Sequence, residues 1–339
     1  MAGRTAREVS RQISSSFLLL LIFNTLLTVI IRGQTVSSFL RLSMKAVPHA
    51  HVKVVELVVC GPWQDNDFIQ LESIRAYCEA FFSGMQVRVN SRDRISLSSV
   101  AEGAREGDVG QLQLCVDSVF AALARRKMDR DVLVSVAVTV ADLYPVHDGQ
   151  AWNFCFGCAQ PMGGVGVFSF SRYFADGEFP LMWGSGNLKK LDSPKALELP
   201  SVSTPPRHSP ESDEGKENGE GQGGEEKEGG GGSIVLRRAC AVLAHEICHL
   251  LGIRHCIYFA CCMQGSNHLQ EDDARPLALC PIDLRKLQTS LKFDAAARHR
   301  ALAALLQTSA FQWEELAKYH EQQADMEGVA TNIIKSRSK

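Results

Sequence analysis

Between 245 and 255 the chain reads His-Glu-Ile-Cys-His-Leu-Leu-Gly-Ile-Arg-His, and no other stretch restricts the possible folds so tightly. In a helix, His245 and His249 leave the same face, so their ring nitrogens can converge on one cation at ~2.0–2.1 Å. For His255 to join them the helix must stop and the chain must turn back. Gly252 supplies the residue that tolerates a positive φ at such a stop. Three protein ligands leave one coordination position open, which water fills in hydrolytic zinc enzymes, its pKa drawn down toward ~7. Glu246 stands beside a ligand without being one, the place for a general base that takes a proton from that water. A lone His-Glu-x-x-His arises by chance on helices, and a single histidine on an apolar face is ordinarily part of a core. The added glycine and third histidine, on a stretch with helical patterning over 237–251, remove most chance matches. The expectation is a catalytic zinc held by His245, His249 and His255, with Glu246 as the catalytic residue.

A second cluster begins where the first ends. Cys256, Cys261, Cys262 and Cys280 bring four of the eleven cysteines into one short stretch, a density that points to a structural tetrahedral thiolate site. Cys60, Cys78, Cys115, Cys155, Cys158 and Cys240 are scattered and read as small buried hydrophobes.

The string HEICHLLGIRHC, with Cys261, Met263 and Cys280 following, resembles the archaemetzincin (archaelysin) family of zinc metallopeptidases. Asp142-Leu-Tyr-Pro145, Trp152-Asn-Phe154, the run from Met263 to His268 and Arg275-Pro-Leu agree with it, and the likeness extends from about 53 to about 306. It implies a metzincin-like fold, a catalytic zinc on His245, His249 and His255, Glu246 as acid/base, and Met263 as the Met-turn residue beneath the metal. It also implies a second, structural zinc, for which Cys256, Cys261 and Cys280 match three of the family's four cysteines. The fourth position holds Asp283. A carboxylate can bind zinc at ~2.0–2.2 Å, but it is a harder ligand than a thiolate and should let the ion go more easily. Cys262 is the alternative fourth ligand, although an extended segment would turn it away from Cys261.

The clearest boundary in the chain is compositional. From 190 to 233 the sequence is rich in Ser, Pro, Glu and Gly, with too little apolar surface to offset the entropy of ordering it, and reads as a disordered acidic insertion. Before it, 52–59 is a β-branched run, 69–82 has helical spacing, and 85–89 alternates as a strand. Then 112–126 reads as a helix, 132–140 as a central buried strand and 165–173 as a strand. The family resemblance makes 165–173 the candidate edge strand for peptide, bound by backbone hydrogen bonds. Asp142-Leu-Tyr144-Pro145 reads as a turn with a packed tyrosine. After Cys280, 282–291, 295–306 and 311–334 read as helices. The expected class is α+β: a mixed twisted sheet, an active-site helix and a cysteine-rich zinc module. The expected organisation is an N-terminal extension (1–45), a metallopeptidase domain (46–310) interrupted by the insertion, and a helical tail (311–339).

With 45% hydrophobic and 22% charged residues, 339 residues can bury one substantial core without disulfides. A net charge of −2 gives no electrostatic case for nucleic acid. Ligand thiolates must stay reduced, which favours a cytosolic setting. Against that, 12–31 is an uncharged hydrophobic stretch flanked by arginines, which opens the alternative of a single-pass membrane anchor. The resulting expectation is a monomeric zinc-dependent peptidase acting on peptides or proteins through a zinc-bound water activated by Glu246. The alternative is a catalytically idle, zinc-stabilised interaction protein, for which membrane attachment through 12–31 stays open.

Overall fold

An apolar run without polar alternation calls for a strand covered on both faces, and all seven residues of Val54–Cys60 (β1) are buried. Alternation along β1 feeds two cores: Val55, Leu57 and Val59 face one, Val58 and Cys60 the other. Glu56, the charged residue in this strand, is buried and satisfied by Asn90 Nδ2 at 3.0 Å, Ser135 Oγ at 3.0 Å and Arg126 Nη1 at 3.2 Å.

The structure, a computed structural model, describes residues 33–42, 46–48, 51–61, 71–108, 110–173 and 231–337. Helix α1 (Val36–Leu40) precedes β1. After it come α2 (Leu71–Phe81), β2 (Gln86–Ile95), β3 (Arg105–Glu106), β4 (Leu112–Cys115), α3 (Val116–Arg125), β5 (Val132–Thr139) and β6 (Asp142–Tyr144). The hairpin β7 (Val146–His147) and β8 (Gln150–Ala151) leads to β9 (Gly157–Gln160) and β10 (Val165–Ser169). Five helices follow: α4 (Gly231–Leu250), α5 (Leu269–Ala274), α6 (Pro281–Leu291), α7 (Ala295–Leu306) and α8 (Glu314–Arg337). The main sheet runs β2-β1-β5-β10-β9, parallel except for β9, so the class is α+β with a mixed sheet and β5 at its centre. Helix α4 packs across β9 and β10 and against α2. On the opposite face α3 covers the sheet with Val119, Phe120 and Leu123.

Three local expectations change. Residues 112–126 are not one helix. Leu112–Cys115 pairs in parallel with β6, matching Gln113 to Asp142 and Leu114 to Leu143, and the helix starts only at Val116. Sheet pairing overrides local helical patterning there. Asp142–Tyr144 is correspondingly a strand rather than a turn. The buried carboxylate of Asp142 takes Arg172 through both oxygens at 2.9 and 2.7 Å and Gln113 Nε2 at 2.9 Å. Finally, β10 is not an edge strand. It lies between β5 and β9 with every residue buried, and β9 forms the edge beside α4.

Helix α4 begins at Gly231 rather than 237. The acidic insertion up to 230 and the hydrophobic stretch 12–31 lie outside the described residues. Among the described residues no helix is long and apolar enough to cross a membrane.

Candidate active site and metal centres

The end of α4 does what the position of Gly252 requires. Ile253 N donates to Cys248 O at 3.0 Å and Gly252 N to His249 O at 2.9 Å, with Gly252 at φ 88°. This paired closure is the Schellman motif, which needs a left-handed residue at that point. The chain reverses and brings His255 back to the helix. The ring centroids of His245, His249 and His255 stand 4.5, 4.8 and 5.1 Å apart in pairs, and their ligand atoms all lie within 4.8 Å of one another.

Two backbone acceptors orient the helical rings. His245 Nδ1 lies 2.8 Å from Cys262 O, and His249 Nδ1 lies 2.7 Å from Ile253 O. A carbonyl accepts only, so each Nδ1 carries the proton and each Nε2 keeps a lone pair for a cation. Arg275 Nη1 also lies 2.8 Å from His245 Nδ1, a contact that competes with this assignment because a guanidinium only donates. Arg275 has another outlet in Gln264 O at 3.1 Å and an ion pair with the buried Asp272, so the carbonyl of Cys262 decides the tautomer. Burial drives all three imidazoles below their usual pKa, His249 down to about 4, and nearby charges add to this. Neutral imidazole is the form that ligates, so the donor set fits a zinc ion.

Glu246 is buried beside these rings, its pKa pushed up to about 8 chiefly by desolvation, with Arg275 pulling it down and Asp272 pushing it up. The carboxylate and the three histidines share a cleft of about 1030 Å³ with β9 along one side. Met263, fully buried, lies in the returning loop, where its carbonyl accepts from Cys256 N at 2.7 Å.

The second cluster forms as well. Cys256, Cys261, Cys280 and Asp283 present ligand atoms within 4.8 Å of one another. Cys256 Sγ is 3.8 Å from Cys280 Sγ, while Asp283 Oδ2 is 3.3 Å from Cys261 Sγ and 3.5 Å from Cys280 Sγ. Cys262 turns the other way, toward Ala241 O. Cys280 is the N-cap of α6, and Asp283 N donates to its sulfur at 3.4 Å. A contact from the Cys261 thiol and that N–H together bring Cys280 down to about 6, making it the thiol that ionises first. One turn along α6, the buried Lys286 Nζ holds Asp283 Oδ1 at 2.6 Å, so one carboxylate oxygen meets the ammonium and the other faces the sulfurs.

Residues 232–289 match the model of peptidase family M54. The chain is 37% identical over 230 residues to archaemetzincin-2 of Mus musculus, covering 68% of this chain and 56% of that protein. It is 33% identical over 261 residues to archaemetzincin-2 of Homo sapiens, covering 76% and 65%. The chain resembles the archaemetzincins. It is also similar to the archaemetzincin-1 of Rattus norvegicus, at 36% identity over 68% of this chain and 41% of that one. The match spans between 56% and 65% of the length of these two archaemetzincin-2 relatives. Among solved structures, the archaemetzincin of Methanopyrus kandleri aligns with 73% of this chain and 99% of its own, at 19% identity and a TM-score of 0.43.

Several site residues carried no signal in the local pattern. Gly157 on β9 is one, although a glycine inside a short strand often marks close backbone approach. Gln34, Arg41 and Leu42 are others: Arg41 and Leu42 line the cleft, and the Gln34 side chain grips the turn after α4 through Gly252 O at 2.9 Å and Arg254 N at 3.1 Å.

Proposed function

We propose that this chain is an archaemetzincin and a zinc-dependent metallopeptidase, in which His245, His249 and His255 hold the catalytic ion. The observation that carries the reading is the convergence of three neutral imidazoles within 4.8 Å, with Glu246 in the same cleft. The three imidazoles would hold a zinc ion, which when bound would supply Lewis acidity toward a peptide carbonyl and water. Glu246 would take the proton from the attacking water in its ionised form, which the positive charge of a bound cation favours against the desolvation. Its burial raises its proton affinity, which suits it to hold that proton and then deliver it to the departing amine. β9, the outermost strand of the sheet among the described residues, is the candidate to offer backbone groups to an extended peptide. Cys256, Cys261, Cys280 and Asp283 hold a second ion with a structural role, pinning the returning loop to the start of α6.

All eleven cysteines are free thiols, which supports a reducing, cytosolic setting. The substrates are peptides or proteins. The idle alternative has no use for an unligated carboxylate in the cleft. Glu246→Ala, with zinc content and peptide hydrolysis measured on one preparation, tests the reading. Hydrolysis lost with zinc retained is expected, and unchanged hydrolysis overturns it.

A further inference from the structure

The two lips of the cleft differ in chemistry. On one side stand Trp152 and Met162, 56% and 76% exposed, and neither carries charge. Asp272 and Arg275 also line the cleft, but both are buried and paired with each other. Glu246 is buried at the floor. The remaining charged side chains of the lining are Arg41 and Arg254, both exposed, and neither meets a carboxylate within ion-pair distance among the described residues.

The backbone that carries these two arginines is anchored. Phe39, in the helix that Arg41 caps, is fully buried, and Arg41 Nη1 donates to Ser37 Oγ at 2.8 Å. The Gln34 amide, just ahead of that helix, accepts from the backbone N–H of Arg254 across 220 positions of sequence. The cationic lip is therefore a product of tertiary packing, set against the turn that carries His255.

We propose that the cleft takes substrates bearing a carboxylate, which Arg41 and Arg254 receive on their side of the metal centre. The assignment rests on the peptidase reading for the rest of the substrate's chemistry. Guanidinium groups pair with carboxylates through charge-assisted hydrogen bonds, and among the described lining residues no exposed acid competes for them. A peptide offers that group as an Asp or Glu side chain or as its free C-terminal end.

The test uses the zinc-loaded full chain and a fluorescent peptide of fixed apolar sequence in matched pairs: one internal Glu or Gln, and a C-terminal acid or amide. Binding is read by anisotropy on the Glu246→Ala protein, hydrolysis on the wild type. We expect the charged member of at least one pair to bind about fivefold tighter at low ionic strength, with the preference shrinking in high salt. Arg41→Gln combined with Arg254→Gln should bring the pair to parity. A preference within the Glu/Gln pair assigns the lip to side chains, and one within the acid/amide pair assigns it to chain ends. Equal binding within both pairs, or a preference that survives high salt and both substitutions, overturns the proposal. Binding preference without any wild-type hydrolysis would instead sink the peptidase reading while leaving the lip's assignment intact.

Discussion

A Cβ built on Gly157 would stand 2.8 Å from Cγ of Glu246, closer than real side chains approach. The edge strand and the metal helix meet here with nothing between them, and the missing methyl gives the carboxylate its room.

Gly157→Ala is therefore expected to push Glu246 out of place while leaving the histidines untouched. Displacing a catalytic group by about an ångström costs on the order of a hundredfold in rate. The variant should keep its zinc and lose about that much kcat, measured on one peptide substrate beside metal analysis. Wild-type turnover would show that the contact relaxes without consequence.

Gly252→Ala strains the Schellman closure that returns His255. A left-handed conformation costs a non-glycine residue about 1–2 kcal/mol. Thermal unfolding should shift down accordingly, and the catalytic site should release zinc to a competing chelator more readily than wild type. Unchanged zinc affinity would mean that the third ligand does not depend on the turn.

Asp283, as the proposed fourth ligand, would set how firmly the cysteine cluster holds an ion. Replacing it by cysteine restores a fully soft donor set, so Asp283→Cys should slow zinc loss to a chelator by about tenfold or more, and Asp283→Ala should hasten it. Zinc-release kinetics with a colorimetric chelator read both directions. If neither substitution alters release, the carboxylate is not a ligand.

The buried pair His299 and His320, with Nδ1 atoms 2.8 Å apart, predicts an acid weakness that involves none of the candidate metal ligands. Burial, with Arg298 adding to it, brings these imidazoles down to about 4 and about 3 from an ordinary 6.5. Below that ordinary value the unfolded chain binds protons that the folded chain refuses. The stability present above about pH 6.5 is then lost as pH falls toward those lower values, by about 1.4 kcal/mol per pH unit for each proton. His299→Gln with His320→Gln should flatten this slope relative to wild type in denaturant melts across pH 4 to 7, followed by tryptophan fluorescence. A wild-type slope in the double variant would contradict the assignment.

The metal helix was legible because its chemistry is written in spacing: His245, His249 and Gly252 fix a face and a stop whatever surrounds them. The convergence of Asp283 with Cys256, Cys261 and Cys280 was legible only through the family resemblance, which marks 283 as a ligand position; the helix N-cap at Cys280 is the physical reason they meet. The sheet order was not. Nothing within 165–173 reveals that the short Gly157–Gln160 segment lies outside it, because an edge strand is defined by which neighbour is missing. Leu112 to Cys115 misled for the complementary reason, as its partner Asp142–Tyr144 is distant in sequence and itself resembles a turn. The contribution of Gln34 to the far wall was beyond any local pattern.

The Gln34 clamp has a practical corollary for anyone trimming the gene. A clone opening at codon 46 would discard the amide that grips Gly252 O and Arg254 N, along with the Phe39 plug. Such a shortened product could fold its sheet and still mishandle zinc, and a negative assay on it would indict the cloning boundary rather than the enzyme.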